Sequence, residues 1–180
     1  GINNRKAARI AGRLMGQFLG GTGKIAVVSS AIASENNNYY VQVRETEFAD
    51  FIHKEYPDIE IITTLDSFED PQITYEKTVK LLRDYQDLQG IYITCGGVSQ
   101  VGRALEESGR AKDIRVISFE DYPEVVDLIR KDVIDCTLAG ELQQQGEIPV
   151  QIIMDYLVFG KEPEQQQIFT DIRVLVKESL

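Results

Sequence analysis

Two carboxylates, Glu120 and Asp121, directly follow an apolar run at residues 116–119 and precede Pro123, a residue that often opens a helix. Adjacent acids at the end of a buried strand can ligate a metal ion, form a catalytic pair, accept hydrogen bonds from a polyol or cap the next helix. In open α/β sheets the carboxyl ends of the strands form the edge at which ligands bind. The chemistry of this chain is therefore expected at that edge.

The elements that must position these acids alternate along the chain. Predicted strands cover 24–29, 59–65, 90–95, 114–119, 133–138 and 168–176, and predicted helices cover 4–19, 39–56, 70–85, a segment ending near 109, 123–131 and 142–159. Asn36 to Asn38 belong to a predicted polar loop, and Pro149 predicts a late start or a kink in the last helix. Alternation of this kind predicts an α/β fold, a doubly wound and mostly parallel sheet with helices on both faces.

The predicted strand ends carry residues suited to a polyol site. In chain order they are Ser29 and Ser30, Asp66 with Ser67 and Phe68, Thr94 and Cys95, and Glu120 and Asp121, with Arg44 early in a crossover helix near the same edge. Carboxylates accept from vicinal hydroxyls, a guanidinium donates to two oxygens, and an aromatic ring covers the apolar face of a sugar. Strand ends and helix caps are commonly polar, so composition alone favours a structural role for any single one of these residues.

Composition excludes several kinds of partner. The chain has 29 acidic and 19 basic residues and a net charge of −10, which opposes contact with DNA phosphates or anionic lipid. Cys95 and Cys136 are too few for a disulfide framework and are expected to be buried thiols, and the single histidine, His53, argues against a His-based metal site. No apolar run reaches membrane-spanning length, and the amino terminus has the pattern of an amphipathic helix rather than a signal peptide. We expect a cytoplasmic protein with no metal or other cofactor.

Two motifs that suggest catalysis do not have the neighbouring elements or residues that the catalytic motifs require. The glycine-rich segment from Gly20 to Lys24 follows a helix and enters a strand, whereas a phosphate loop follows a strand and opens a helix. Asp66 ends a strand, but the first strand ends on Ser29 and Ser30 with no acid pair to hold Mg²⁺ as a receiver domain would need. His53, beside Lys54, is expected on the surface, so the sequence predicts no enzyme.

The order of these segments resembles the sugar-responsive core of the lac-repressor (LacI/GalR) family of transcriptional regulators, within the type I periplasmic-binding-protein superfamily. The resemblance rests on the stretch from Ala11 to Leu14 ahead of the strand at 24–28, on Arg44 followed by Phe48, on the step from Ser118 to Asp121, and on the closing residues 176–180. The glycine expected between Arg44 and Phe48 is lost, and Gly140-Glu141 replaces a common Gln-Asp pair.

The resemblance implies a set of ligand-binding residues: Arg44, Glu120, Phe68, Tyr40, Thr94, Cys95, Ser30 and Asn3. Arg44 resembles the effector-binding arginine, and Tyr40 lies one turn before it. Phe68 matches an aromatic residue that stacks on the ligand, and Asn3 replaces an acid that commonly heads the first helix. Glu120 would be the ligand carboxylate, which leaves Asp121 as the expected cap of the helix at Pro123.

Proteins of this superfamily have two lobes, and 180 residues are too few for both. The resemblance divides the chain into a helix of the opposite lobe at 1–23, the effector-binding lobe at 24–139, a second helix of the opposite lobe at 140–160 and a returning strand at 161–180. Both helices have apolar faces that lack their usual sheet, so we expect them to pack on each other or on a second copy, as a homodimer. With one wall of the site missing, the isolated chain is expected to bind its ligand weakly.

The function that the resemblance implies is sugar or polyol binding that controls the DNA affinity of a helix-turn-helix domain lying outside this sequence. The alternative within the same fold is the sugar-binding protein of an ABC transporter. An enzyme of flavodoxin-like fold is a third reading, since fold does not fix function.

Overall fold

The protein forms one six-stranded sheet with helices on both faces. In the computed structural model, which describes residues 1–30 and 39–180, the strands are β1 (Thr22–Ser29), β2 (Asp58–Asp66), β3 (Leu88–Ile93), β4 (Arg115–Phe119), β5 (Cys136–Gly140) and β6 (Ile172–Leu175). The helices are α1 (Asn4–Phe18), α2 (Tyr39–Glu55), α3 (Pro71–Asp84), α4 (Val98–Ser108), α5 (Pro123–Arg130) and α6 (Leu142–Phe159), and residues 177–179 form a short 3₁₀ turn. The predicted polar loop at Asn36 to Asn38 lies outside the described residues.

Strand order confirms the predicted sheet. The order is β2-β1-β3-β4-β5-β6; the first five strands are parallel, and β6 runs antiparallel to β5. Ser29 pairs with Asp66 at the end of β1 and β2, and Phe119 pairs with Leu138 near the end of β4 and β5. The carboxyl ends of the parallel strands therefore reach one edge, as the site requires.

A separate apolar core lies on each face of the sheet. One joins Leu81 and Leu82 of α3, Val101 and Leu105 of α4 and Leu128 of α5 to Val28, Ile93 and Val116 of the strands. The other joins Ala7, Ala11 and Met15 of α1 and Phe48 and Ile52 of α2 to Ile25, Val27, Tyr92 and Phe119. This is the two-faced burial that near-continuous apolar strands indicate.

Helix α1 is part of this lobe's core, contrary to the expectation that its apolar face would lack a sheet. Ala7, Ala8 and Ala11 are fully buried against α2 and the strands. Small side chains at helical spacing let α1 lie close to α2, and this packing needs no second copy. Asn3 and Asn4 are both candidates for the N-cap of this helix from their positions, and the structure assigns the cap to Asn3, which accepts from the amide of Lys6.

Helix α6 differs from α1, because none of its residues is buried. Val150, Ile153, Tyr156, Leu157 and Phe159 are exposed, so the unpartnered apolar surface predicted for this helix is present. Of the two alternatives predicted from Pro149, the late start is wrong, because the helix runs from Leu142 to Phe159 with the proline inside it, and the kink stays a prediction. No helix among the described residues is both long and apolar enough to span a membrane.

The last two strands are placed differently from the prediction. Strand β5 begins at Cys136 rather than Val133, because the chain turns at Asp132, whose φ is +59°, and Asp135 accepts from the amide of Val116 at 2.7 Å. Strand β6 is limited to Ile172–Leu175 rather than 168–176, and Thr170 instead forms an isolated bridge to Ile2.

Candidate functional site

Arg44 is the centre of the predicted edge. Its guanidinium, carried by α2, donates to Asn4 Oδ1 at 2.6 Å, to the Thr94 carbonyl at 3.1 Å and to Glu120 Oε1 at 3.3 Å. Its side chain is only 12% exposed. Three acceptors from three different elements therefore fix the plane of this guanidinium before any ligand arrives.

An aromatic column supports Arg44 from the core. The guanidinium carbon lies 3.8 Å from the centre of the Phe119 ring, Phe119 lies 6.0 Å from Tyr92, and Tyr92 stacks on Phe48 at 4.0 Å. Burial of the Tyr92 phenol raises its pKa, and the nearby Arg44 charge opposes this effect more weakly. A cation held against an aromatic face is stabilised by the ring quadrupole, so this column helps to orient the fork.

Glu120 has a strained backbone and an accessible carboxylate. Its φ is +69°, its amide donates to Leu138 O at 2.9 Å, and its carbonyl accepts from Thr137 Oγ1 at 2.7 Å. The side chain is 41% exposed. Of the four non-glycine residues with positive φ in the described structure, Phe68, Glu69 and Glu120 lie at this edge. Such strain concentrates at functional sites, where the surrounding structure enforces it.

Two clefts open on either side of the Arg44–Glu120 pair. The larger has a volume of about 660 Å³ and is lined by Asn3, Tyr40 and Gln145 together with this pair. The smaller, of about 390 Å³, is bordered by Glu69, Thr94, Cys95 and the turn at 96–99 as well as the same pair. Arg44 and Glu120 are thus the shared wall of both spaces.

The structure brings most of the predicted ligand residues to this edge but gives several of them other partners. Thr94 is buried and its hydroxyl donates to Val28 O at 3.2 Å, so its carbonyl, rather than its hydroxyl, contacts Arg44. Ser30 is buried, and its hydroxyl bonds Glu69 at 3.1 Å. Both residues are therefore buried beneath the edge, and their hydroxyls bond to the protein itself.

Cys95 and Phe68 have different surroundings. The Cys95 sulfur lies 3.4 Å from Ser67 Oγ, and burial raises the pKa of this thiol although hydrogen bonds from serine hydroxyls lower it. Phe68 is 53% exposed and borders neither cleft; Lys77 Nζ lies 4.5 Å from its ring centre. The predicted stacking of Phe68 on a ligand stays a prediction.

Asn4, rather than Asn3, contacts the arginine, and this residue was missed by the sequence analysis. Both asparagines stand at the helix start, and only one of them can be the cap. Because Asn3 caps α1, the Asn4 side chain is free to accept from Arg44 Nε. The adjacent pair Asn3 and Asn4 was the sequence feature that could have indicated a second role for one of them.

Asp121 does not cap α5, so that prediction was wrong. The cap position falls on Tyr122, without a side-chain hydrogen bond, and Asp121 instead accepts from Arg173 Nη2 of β6 at 2.7 Å. Arg173 Nε also lies 2.7 Å from Glu141 Oε1. The pairing ties the antiparallel strand to the segment that carries Glu120, a long-range contact that local patterns do not encode.

The remaining side chains offer little to a metal ion. Across residues 1–30 and 39–180 no group of three His, Cys, Asp or Glu side chains is placed to hold a metal ion. His53 is exposed, as predicted, and Cys95 and Cys136 are both free thiols. The chemistry displayed at the edge is that of hydrogen-bond recognition: a fixed donor fork, an accessible carboxylate and polar side chains around a cleft.

Comparison with solved structures gives the same architecture. A sugar-binding protein of a sugar ABC transporter from Bacillus halodurans superposes with a TM-score of 0.88 and 27% identity, over 99% of this chain and 63% of that one. GanP, a glucose-galactose binding protein from Geobacillus stearothermophilus, gives 0.87 and 23% over 100% and 62%. AraP, an arabinose binding protein from the same organism, gives 0.85 and 24% over 99% and 62%. The chain thus spans less than two thirds of the length of these structures.

Sequence comparison identifies the family. No curated protein matches the chain. The sequence profile described as "Periplasmic binding protein domain" matches residues 1–162, which is most of the chain. This protein therefore belongs to the periplasmic binding protein domain family.

Proposed function

We propose that this chain binds a monosaccharide at the carboxyl edge of its sheet, as the binding domain of a protein that serves sugar transport. The observation that carries the proposal is the Arg44 fork, fixed on Asn4, Thr94 and Glu120 above the Phe119 ring and opening onto two clefts. A rigid donor fork beside an accessible carboxylate complements a pair of sugar hydroxyls, which donate and accept at once.

Similarity to named sugar-binding proteins supports the transport role over the regulatory one. The Bacillus halodurans structure is a transporter's sugar-binding protein, and the two Geobacillus structures are named for binding sugars. The lac-repressor reading that the sequence favoured finds no comparable support, and neither do its DNA partner and homodimer. We therefore prefer what the sequence analysis gave as the alternative. The matched family and these structures are binding proteins, which also supports binding without a reaction.

A calorimetric titration of the 180-residue chain with D-xylose, L-arabinose, D-glucose and D-galactose tests this proposal. Saturable binding of at least one sugar is expected, and it is lost in Arg44→Ala. Arg83→Ala is the matched control, because the Arg83 side chain is 72% exposed and pairs only with Asp84 among the described residues. Failure of all four sugars to bind at millimolar concentration would count against the proposal.

A further inference from the structure

Three consecutive glutamines at the start of α6 differ in what their amides contact. Gln143 donates to Glu147 Oε1 at 2.6 Å, and Gln144 exchanges hydrogen bonds with Asp171 at 3.4 and 3.3 Å. Gln145 is half-buried and borders the larger cleft, but its amide has no hydrogen-bond partner within residues 1–30 and 39–180. Gln145 is thus the one of the three with its donors and acceptor unused.

The absence of a side chain at Gly140 gives the Gln145 amide its place. A β-carbon at residue 140 would lie 2.5 Å from Gln145 Nε2 and 2.7 Å from Ile2 Cγ2, closer than non-bonded atoms approach. Any larger residue at the end of β5 would displace the amide. Gly140 and Gln145 border the same cleft as Arg44 and Glu120.

The backbone holds Gln145 at this position. The backbone N–H of Gln145 donates to the backbone carbonyl of Glu141 at 3.0 Å in the first turn of α6, and Gly140 pairs with Ile172 of β6. A carboxamide offers two N–H donors and one carbonyl acceptor on one rigid group, which matches a sugar hydroxyl and its neighbour. Because the Gln145 amide is half-buried and has these donors and this acceptor unused, hydrogen bonds to a bound ligand would stabilise it.

We propose that Gln145 is a ligand-contacting and specificity-determining residue of the sugar site, and that Gly140 is required for its placement. This inference rests on the proposed function and adds a second recognition group to the Arg44–Glu120 pair. Arg44 and Glu120 supply charged recognition, whereas the Gln145 amide distinguishes sugars by the hydroxyl that it meets.

The test is a double-mutant cycle of Gln145→Ala and Gly140→Ala, titrated by calorimetry with D-xylose, L-arabinose, D-glucose and D-galactose. We expect Gln145→Ala to lower the affinity for the tightest-binding of these sugars about tenfold and to change the order of affinity among the four. Gly140→Ala should have a similar effect, and the double variant should be no weaker than either single variant, because both changes remove the same contact. Gln144→Ala, whose amide faces Asp171, is the matched control and should preserve both affinity and order.

Three outcomes would overturn the inference. They are wild-type affinity and order in Gln145→Ala, a full further loss when Gly140→Ala is added to Gln145→Ala, and a change of order in the control. Sugar binding that depends on Arg44 but not on Gln145 overturns this inference and leaves the proposed function standing, whereas a wild-type chain that binds none of the sugars removes both. If Gly140→Ala does not fold because the new methyl group clashes with Ile2, the two variants Gln145→Ala and Gln145→Glu test the inference without it. Gln145→Glu retains an acceptor but loses the N–H donors, and it is expected to bind sugar as weakly as Gln145→Ala does.

Discussion

Arg44 Nη2 lies 3.3 Å from Glu120 Oε1, and the two side chains differ in exposure, 12% for Arg44 against 41% for Glu120. The arginine side chain is enclosed and its orientation is fixed by three hydrogen bonds, while the glutamate keeps oxygen lone pairs facing the cleft. An enclosed donor beside an accessible acceptor is what a preorganised ligand site requires.

Arg44→Lys should separate the charge of this residue from its geometry. A lysine keeps the positive charge but lacks the planar fork that serves three acceptors and lies over the Phe119 ring. We expect sugar affinity to fall about tenfold or more, with a loss of roughly 1–2 kcal/mol in the free energy of unfolding. Calorimetry and urea denaturation measure the two quantities. Arg83→Lys should alter neither, and unchanged affinity in Arg44→Lys would show that charge alone suffices.

Glu120→Gly should divide stability from binding. Glycine adopts the +69° φ of this position without strain, whereas alanine does not. We expect Glu120→Gly to be more stable than Glu120→Ala by about 1 kcal/mol, since a left-handed non-glycine residue costs roughly that amount. Both variants should lose sugar affinity, because both lack the carboxylate. Equal stability of the two in urea denaturation would contradict the strain, and retained binding would contradict the role of the carboxylate.

Tyr92→Phe should stabilise the fold. The Tyr92 hydroxyl is buried and has no hydrogen-bond partner in the described part of the chain, so its removal relieves a desolvation cost. We expect the free energy of unfolding at pH 7 to rise by about 1 kcal/mol. A fall of that size in thermal or urea unfolding would mean that the hydroxyl has a partner.

The same substitution should change the response to alkali. Because burial raises the pKa of Tyr92 in the folded protein, the unfolded chain loses that proton first as the pH rises above about 10. Tyr92 therefore adds no pH dependence below the unfolded pKa, where the phenol is neutral in both states, and it lowers the free energy of unfolding progressively as the pH rises above that value. Tyr92→Phe should show a shallower decline between pH 9 and 11 on this account. Parallel declines for the two proteins would contradict it.

The two thiols should differ in reactivity. Burial raises the pKa of Cys136 to about 12, and it also raises that of Cys95, which borders the smaller cleft. Since the thiolate is the nucleophile, alkylation by iodoacetamide should be slow at neutral pH and faster in alkali, with Cys95 modified first. A bound sugar should protect Cys95. Mass spectrometry of the modified peptides follows both sites, with Cys95→Ser as the control, and earlier labelling of Cys136 in folded protein would contradict the account.

The sheet could be predicted from the sequence alone, and so could the position of Arg44 and Glu120 at its edge; their contact with a ligand stays a prediction. Apolar runs such as 24–29 are short, are bounded by turn residues and alternate with segments of helical spacing, and this pattern predicts a mostly parallel sheet with helices on both faces. Glu120 could be placed because the carboxyl end of a parallel strand is a fixed place in such a sheet, and Arg44 because it lies early in a crossover helix near that edge, where it resembles the effector-binding arginine.

What sequence could not provide depends on contacts between distant residues. The Asp121–Arg173 pair joins residues far apart in the chain, and a local cap at Pro123 was the only nearby alternative to it. The division of roles between Asn3 and Asn4 likewise depends on where Arg44 reaches. Helix α1 was assigned to the wrong surroundings because its alanines indicate close packing without naming the partner.

The most direct test of the central claim is a ¹H–¹⁵N NMR titration of the chain with the sugar that binds best in calorimetry. The account predicts that shifts concentrate at the Arg44 side chain, at 94–97, at 119–121 and at 140–145. Shifts confined to the separate cleft bordered by Ile152, Asp155 and Lys161 would contradict it, as would the same pattern at equal affinity in Arg44→Ala.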